Sequence, residues 1–176
     1  LKPQSAESNF YLQGIAWDGT YYHAVGDLGQ IARSADGITW TAPQYVLSTS
    51  NNYTAVAVDP TNNVVLVGGT GGSVAVSKNQ GSSWEGTIIQ GLSAANIYDI
   101  AFDGTKYCMI GYSSSPKKAI ASTSNTTTPP SNTGAWSWTE QTSFSGASQN
   151  KTMTSIAYGD DLWMSVGYDC QVVTSP

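Results

Sequence analysis

Ser34-Ala35-Asp36-Gly37-Ile38-Thr39-Trp40 is a polar turn that closes on a tryptophan, and Ser77-Lys78-Asn79-Gln80-Gly81-Ser82-Ser83-Trp84 writes it again. Asp36 or Asn79 at the third position accepts backbone N–H bonds within such a turn. Gly37 or Gly81 supplies a backbone geometry that other residues resist, and Trp40 or Trp84 is placed to pack between neighbouring units. These residues, with Ser34 and Ser77, form a structural staple. A repeated staple speaks to architecture more than to chemistry.

Outward from the first copy lie Ile15-Ala16-Trp17-Asp18-Gly19-Thr20, Tyr22-His23-Ala24-Val25-Gly26 and Gln30-Ile31-Ala32-Arg33-Ser34, with Ile38-Thr39-Trp40-Thr41 after them. Short β-rich runs broken by Asp-Gly or Gly read as four antiparallel strands. The second unit repeats this with Val56-Ala57-Val58-Asp59, Val64-Val65-Leu66-Val67-Gly68, Ser73-Val74-Ala75-Val76-Ser77 and Ser83-Trp84. A third closes on Trp136-Ser137-Trp138, and a fourth ends at Val172-Val173-Thr174-Ser175 with its last strand still due. The expected fold is all-β and propeller-like: four blade-like units, near residues 15–52, 53–97, 98–152 and 153–176, the last lacking its fourth strand. Residues 1–14 stand apart as an N-terminal segment, a donor or closing strand for that vacancy.

The anchor alanines Ala16, Ala57, Ala101 and Ala157 recur at spacings of 41, 44 and 56 residues, within the range of four-stranded propeller blades. The long third interval holds Asn125-Thr126-Thr127-Thr128-Pro129-Pro130-Ser131-Asn132, an inserted polar loop. His23, Val65, Cys108 and Met164 align two residues before a repeated Val or Ile and are expected on one strand face, which makes His23 a core residue rather than a catalytic base.

A four-stranded unit tied by Ser-x-Asp-(x)-Gly-x-x-Trp resembles the Asp-box repeat, also called the bacterial neuraminidase repeat, over most of the chain from Ile15 onward. The wording of the units is most similar to repeats of phage virion and bacterial surface proteins. In that family the box is a peripheral fold element, so the resemblance implies a propeller and transfers no activity. Sialidases clamp a substrate carboxylate with three arginines, whereas Arg33 is the only arginine in this chain.

The remaining chemistry is sparse. Net charge is −5 and only 11% of residues are charged, which leaves no footprint for nucleic acid or anionic membrane. No apolar run approaches the roughly 18 residues of a membrane span, and a chain that opens on Leu1 without a signal-like segment reads as mature, processed or excerpted. Cys108 reads as a buried thiol and Cys170 as a turn thiol, with a disulfide between them as the alternative. Asn52, Asn125 and Asn150 begin Asn-x-Thr sequons; they read equally as glycan acceptors and as chance products of an Asn- and Thr-rich chain, and the uncharged polar surface suits an extracellular, cell-surface or virion setting.

Glycoside hydrolysis needs two carboxylates across a sugar bond. Asp18, Asp59, Asp103 and Asp160 fall at first turns, Asp27 and Asp169 share the next turn, and Asp36 is the staple. Asp99 alone breaks the strand pattern, and a structural hydrogen bond explains it best. One His and two separated Cys make no metal site, and no cofactor motif appears. The chain is expected to be non-enzymatic: a structural or assembly subunit that forms a homo-oligomer or polymer by strand exchange, or alternatively a carbohydrate-binding or adhesion propeller. For the latter, Trp136 and the Tyr21-Tyr22 pair are the aromatic residues outside the repeat scheme.

Overall fold

The structure, a computed structural model, describes residues 11–47, 50–89, 93–114, 117–124, 138–140, 152–168 and 171–175. Four antiparallel sheets follow one another along the chain. The first holds β1 (Leu12–Trp17), β2 (Tyr22–Gly26), β3 (Gln30–Ser34) and β4 (Gln44–Tyr45); the second holds β5 (Tyr53–Asp59), β6 (Val64–Gly69), β7 (Ser73–Ser77) and β8 (Glu85–Ile88). The third holds β9 (Ala95–Phe102), β10 (Tyr107–Ser114), β11 (Lys117–Ser124) and β12 (Trp138–Glu140). Among the described residues the fourth sheet has three strands, β13 (Met153–Gly159), β14 (Leu162–Gly167) and β15 (Gln171–Ser175). Within each sheet the strands pair in chain order, and the first strands β1, β5, β9 and β13 pack successively against one another. Each sheet is a blade.

The first hairpin of each of the first three blades is turned by a carboxylate that binds backbone locally. Asp18 accepts N–H from Thr20 and Tyr21, Asp59 from Thr61 and Asn62, and Asp103 from Thr105 and Lys106. The fourth blade departs from the expectation for Asp160. Gly159 holds the position equivalent to Asp18, and Asp160 and Asp161 instead sit at φ 54° and 57° in a two-residue hairpin that needs positive φ at both places.

The 34–40 turn is built from the Ser and Asp side chains. The Asp36 Oδ1 accepts N–H from Ile38 (2.8 Å) and Thr39 (2.7 Å) and the Ser34 hydroxyl (2.9 Å), while Ser34 Oγ accepts Gly37 N–H at 2.9 Å. In the 77–84 turn Asn79 Oδ1 takes Ser83 N–H and the Ser77 hydroxyl, and Ser77 Oγ takes Gly81 N–H. Gln80 is the extra residue and is placed at φ 52°. Because their amides serve the turn, Ile38 and Thr39 join no ladder; the outer strands come after the tryptophans, at β4 and β8, and not at residues 38–41 and 83–84 as the sequence suggested. The Thr39 and Ile38 amides and the Ser34 hydroxyl hold the Asp36 carboxyl down at about 2. The group is ionised more readily folded than unfolded, so its contribution is complete above the ordinary 3.8 and is lost as pH falls through the folded value. Asp36→Ala is expected to lower the melting temperature by a few degrees, and Asp36→Asn, which keeps the acceptor that Asn79 already uses, by much less; thermal melts followed by circular dichroism check this.

Strand register amends three readings. β1 opens at Leu12 and β9 at Ala95, so the segment taken as residues 1–14 contributes its last residues to the first blade, and the third unit begins before Tyr98. A register shift between Leu12 and Gly14 interrupts the period-two pattern there. The partners of Ala16, Ala57, Ala101 and Ala157 are His23, Leu66, Cys108 and Met164, so Leu66 and not Val65 is the counterpart of His23. Val65 points to the opposite face.

Apolar side chains pack between sheets. Val25 and Ile31 of blade one meet Tyr53, Val56, Val65 and Val67 of blade two; Leu66 and Val74 of blade two meet Ile97, Ile100 and Met109 of blade three; Cys108 and Ile110 of blade three meet Met153, Ile156 and Trp163 of blade four. Every blade therefore has a forward face for its successor and a rear face for its predecessor. Polar ties cross the same seams. Arg33 Nη1 donates to Gln80 O at 2.6 Å, the Tyr53 hydroxyl to Val46 O at 2.9 Å, and the Thr54 hydroxyl to Ile97 O. Asp99, the carboxylate that broke the strand pattern, accepts the Ser155 hydroxyl (2.8 Å) and Ile156 N–H (2.9 Å) and so binds blade three to blade four.

Candidate interaction surfaces

Two exposed surfaces stand out among the described residues. The first is an open cleft of about 360 Å³ beside the 34–40 turn, bordered by Tyr21, Arg33, Asp36, Thr39 and Trp40. The Arg33 guanidinium lies over the Tyr21 ring at 4.6 Å, held there by its bonds to Gln80 O and to Ser82 Oγ at 2.9 Å. Trp40 donates its indole N–H to Gly37 O at 3.2 Å, which turns the ring toward this cleft instead of leaving it loose. The site offers a fixed aromatic and cationic wall with one carboxylate at its edge. Of the proposed glycan contacts, Tyr21 lines it, Tyr22 packs on Trp17 with ring centroids 4.4 Å apart, and Trp136 lies outside the described residues. Arg33 and Trp40 belong to the cleft although the sequence reading gave them no recognition role.

His23, by contrast, is sealed. Its Nε2 lies 2.7 Å from Asp18 Oδ2 and the ring is fully buried between blades one and two. Asn52 is tied across the same seam, its Oδ1 accepting Leu28 N–H and its own N–H donated to the Thr70 hydroxyl. Asn125, Asn150, Asp169 and Cys170 lie outside the described residues, while Cys108 is buried in the seam between blades three and four. No three His, Cys, Asp or Glu side chains gather as metal ligands among the described residues, and none of the described helices is long and apolar enough to cross a membrane.

The second surface is double: the rear face of blade one and the forward face of blade four. Ile15 is 60% exposed, whereas its counterparts Val56, Ile100 and Ile156 are 9%, 4% and 6% exposed. Val166 is 44% exposed, whereas Val25 and Ile110 at the same position are completely covered. Leu12 and Trp17 share the open rear face, and Met164 and Val172 share the open forward face. The sequence marks all of them as core, because their pattern is that of a covered strand. The missing signal was a count: successive units bury only the faces between them, so the outer two are left over.

Superposition on solved structures places this architecture. YCF48 from Cyanidioschyzon merolae matches with a TM-score of 0.68 at 14% identity, over 99% of this chain and 56% of that one. The chain has the β-propeller fold. YCF48 bound to D1 peptide matches at 0.67 and 13% identity, over 96% of this chain and 51% of that one, and the computationally designed Ika4 protein at 0.66 and 16%, over 99% and 94%. This propeller chain thus spans about half the length of the YCF48 chains it matches. By sequence it matches no family and no curated protein.

Proposed function

We propose that this propeller is a non-enzymatic assembly subunit of an extracellular, cell-surface or virion structure, its box turns serving as Asp-box staples of the scaffold. One observation carries the reading: the apolar faces that cover one another inside the fold stand open at both ends of the row of blades. Contiguous apolar surface of this kind costs solubility and is retained where something docks. The uncharged polar composition supports the setting. Light scattering coupled to size exclusion, across a concentration series, tests it; a species heavier than one chain is expected, and a mass of one chain at every concentration overturns it.

Among the described residues no strand pairs with the outer side of β15, which extends the reading. Residues before Leu12 stand in chain order where β4, β8 and β12 stand before β5, β9 and β13, so donation of that segment to β15 of another molecule completes the fourth sheet by β-augmentation. Deletion of residues 1–10 is expected to abolish assembly while leaving folded subunits that the free peptide fills; a truncated chain that assembles normally overturns the donated strand.

The Tyr21–Arg33 cleft favours a second reading, carbohydrate or peptide recognition, since an aromatic ring braced by a guanidinium is a stacking platform. A neighbour of this fold, YCF48, has been seen bound to D1 peptide. Loss of glycan-array signal in Tyr21→Ala with an unchanged melting curve is the expected result under this reading, and retained signal removes the site.

A further inference from the structure

We propose that the forward face of blade four receives the rear face of blade one of a second copy, so that two chains close one ring of eight blades. This rests on the assembly reading above and names its partner. The internal seams supply the template. A Cβ placed on Gly68 would meet Ile97 Cγ2 and Ile100 Cδ1, each at 2.9 Å, so this strand position on a forward face addresses those two positions on the next rear face. In the seam between blades three and four the same three places are Ile110, Met153 and Ile156, which share one buried cluster. Across the open ends they are Val166, Leu12 and Ile15: an aliphatic knob facing two aliphatic partners, as in the covered seam.

A second correspondence runs along the box turns. His23 covers Gly81 of the following blade, whose added Cβ would lie 3.0 Å from the imidazole. Met164 occupies the His23 position, and the matching glycine of blade one is Gly37. The contact is heterologous, forward face to rear face, and must either close or run on as a filament. Length favours closure with two copies: this chain matches 51% and 56% of the length of the YCF48 chains, so two copies supply about the length of one such propeller chain.

Charge variants at Val166 and Ile15 test this in the 176-residue chain, since both side chains are exposed in the single copy and their replacement leaves its core intact. Sedimentation velocity and native mass spectrometry are expected to show two copies for the unaltered chain. Val166→Lys and Ile15→Glu should each weaken association at least 100-fold, with unchanged circular dichroism. Mixing the two variants should restore the two-copy species, because one seam then pairs Lys with Glu and the other is unaltered. Association that survives both variants overturns the proposed faces while leaving the assembly reading standing. Disruption by Val166→Lys alone overturns the head-to-tail arrangement, a ladder of rising masses overturns closure, and a single-copy mass for the unaltered chain at all concentrations overturns the second copy together with the assembly reading.

Discussion

Gly69→Ala is expected to lower the melting temperature by about 6–12 °C, from the closest contact that an added Cβ would make at any described glycine. The cause is contact and not backbone strain, since Gly69 is extended, with φ at −166°. A Cβ there would lie 1.9 Å from the carbonyl oxygen of Asn52. That carbonyl is pinned by Thr70 N–H at 2.9 Å, so it has nowhere to go without breaking the bond. The same arrangement recurs at Gly26 against Tyr11 O, Gly111 against Asn96 O and Gly167 against Thr152 O, at 2.1, 2.0 and 2.3 Å. Each blade therefore needs a glycine at the register shift between its first two strands. Forcing a side chain into a filled site costs about 3 kcal/mol, and at this chain length each kcal/mol moves the midpoint by about 2–4 °C. Gly159→Ala is the control. It has no neighbour within 4 Å of its added Cβ and should melt within a degree or two of the parent, so a loss at Gly159 equal to that at Gly69 would show that contact is not the cause.

Asp18→Ala is expected to cost about 3 kcal/mol, from three hydrogen bonds at about 1 kcal/mol each. The buried carboxylate receives Thr20 N–H, Tyr21 N–H and His23 Nε2, each at 2.7 Å. Burial pushes His23 below the usual imidazole range, against the pull of Asp18, so the ring is neutral at pH 7 and Nε2–H is the donor. Its bare Nδ1 faces Gly81 with no hydrogen-bond partner among the described residues. Burial raises Asp18, but the His23 bond and the two amides outweigh it and leave the carboxyl below its ordinary value.

The sign for both groups is the same, since each binds its proton more weakly folded than unfolded. Stability is complete above the unfolded values. It begins to decline as pH falls through 6.5, where the unfolded imidazole charges first, and declines again below 3.8, as the unfolded Asp18 and Asp36 carboxylates take up protons. Denaturant titrations from pH 8 to 3 are expected to show both stages. His23→Leu, which installs the residue found at the equivalent Leu66, should flatten the upper stage; a slope near pH 6 that persists in that variant would assign it to another group.

Local chemistry was legible in the sequence because its partners are close in the chain. Asp18, Asp59, Asp103 and Asp36 bind amides two or three residues away, so residue type and spacing suffice to place the turn. The recurrence of those turns, with the alternating strands between them, determined the all-β class and the four-fold repeat. Asp99 was legible in part: its failure to fit the strand pattern announced a bond, but the partner is Ser155, a blade away.

Register required the tertiary structure. Unit two ends its strand on Val67-Gly68-Gly69, and either glycine fits the repeat on paper; only the collision at Asn52 O identifies Gly69 as the pinned one, which moves Leu66 into the His23 position and turns Val65 to the other face. The Tyr21–Arg33 stack likewise depends on Gln80 and Ser82 of the neighbouring blade. Hydrophobic patterning reports that a strand was made to be covered, and it does so equally for Ile15 and Ile156. Whether the cover is present depends on which blade stands next to it, and that is decided by packing between units far apart in the chain, where Ile156 meets blade three and Ile15 meets solvent.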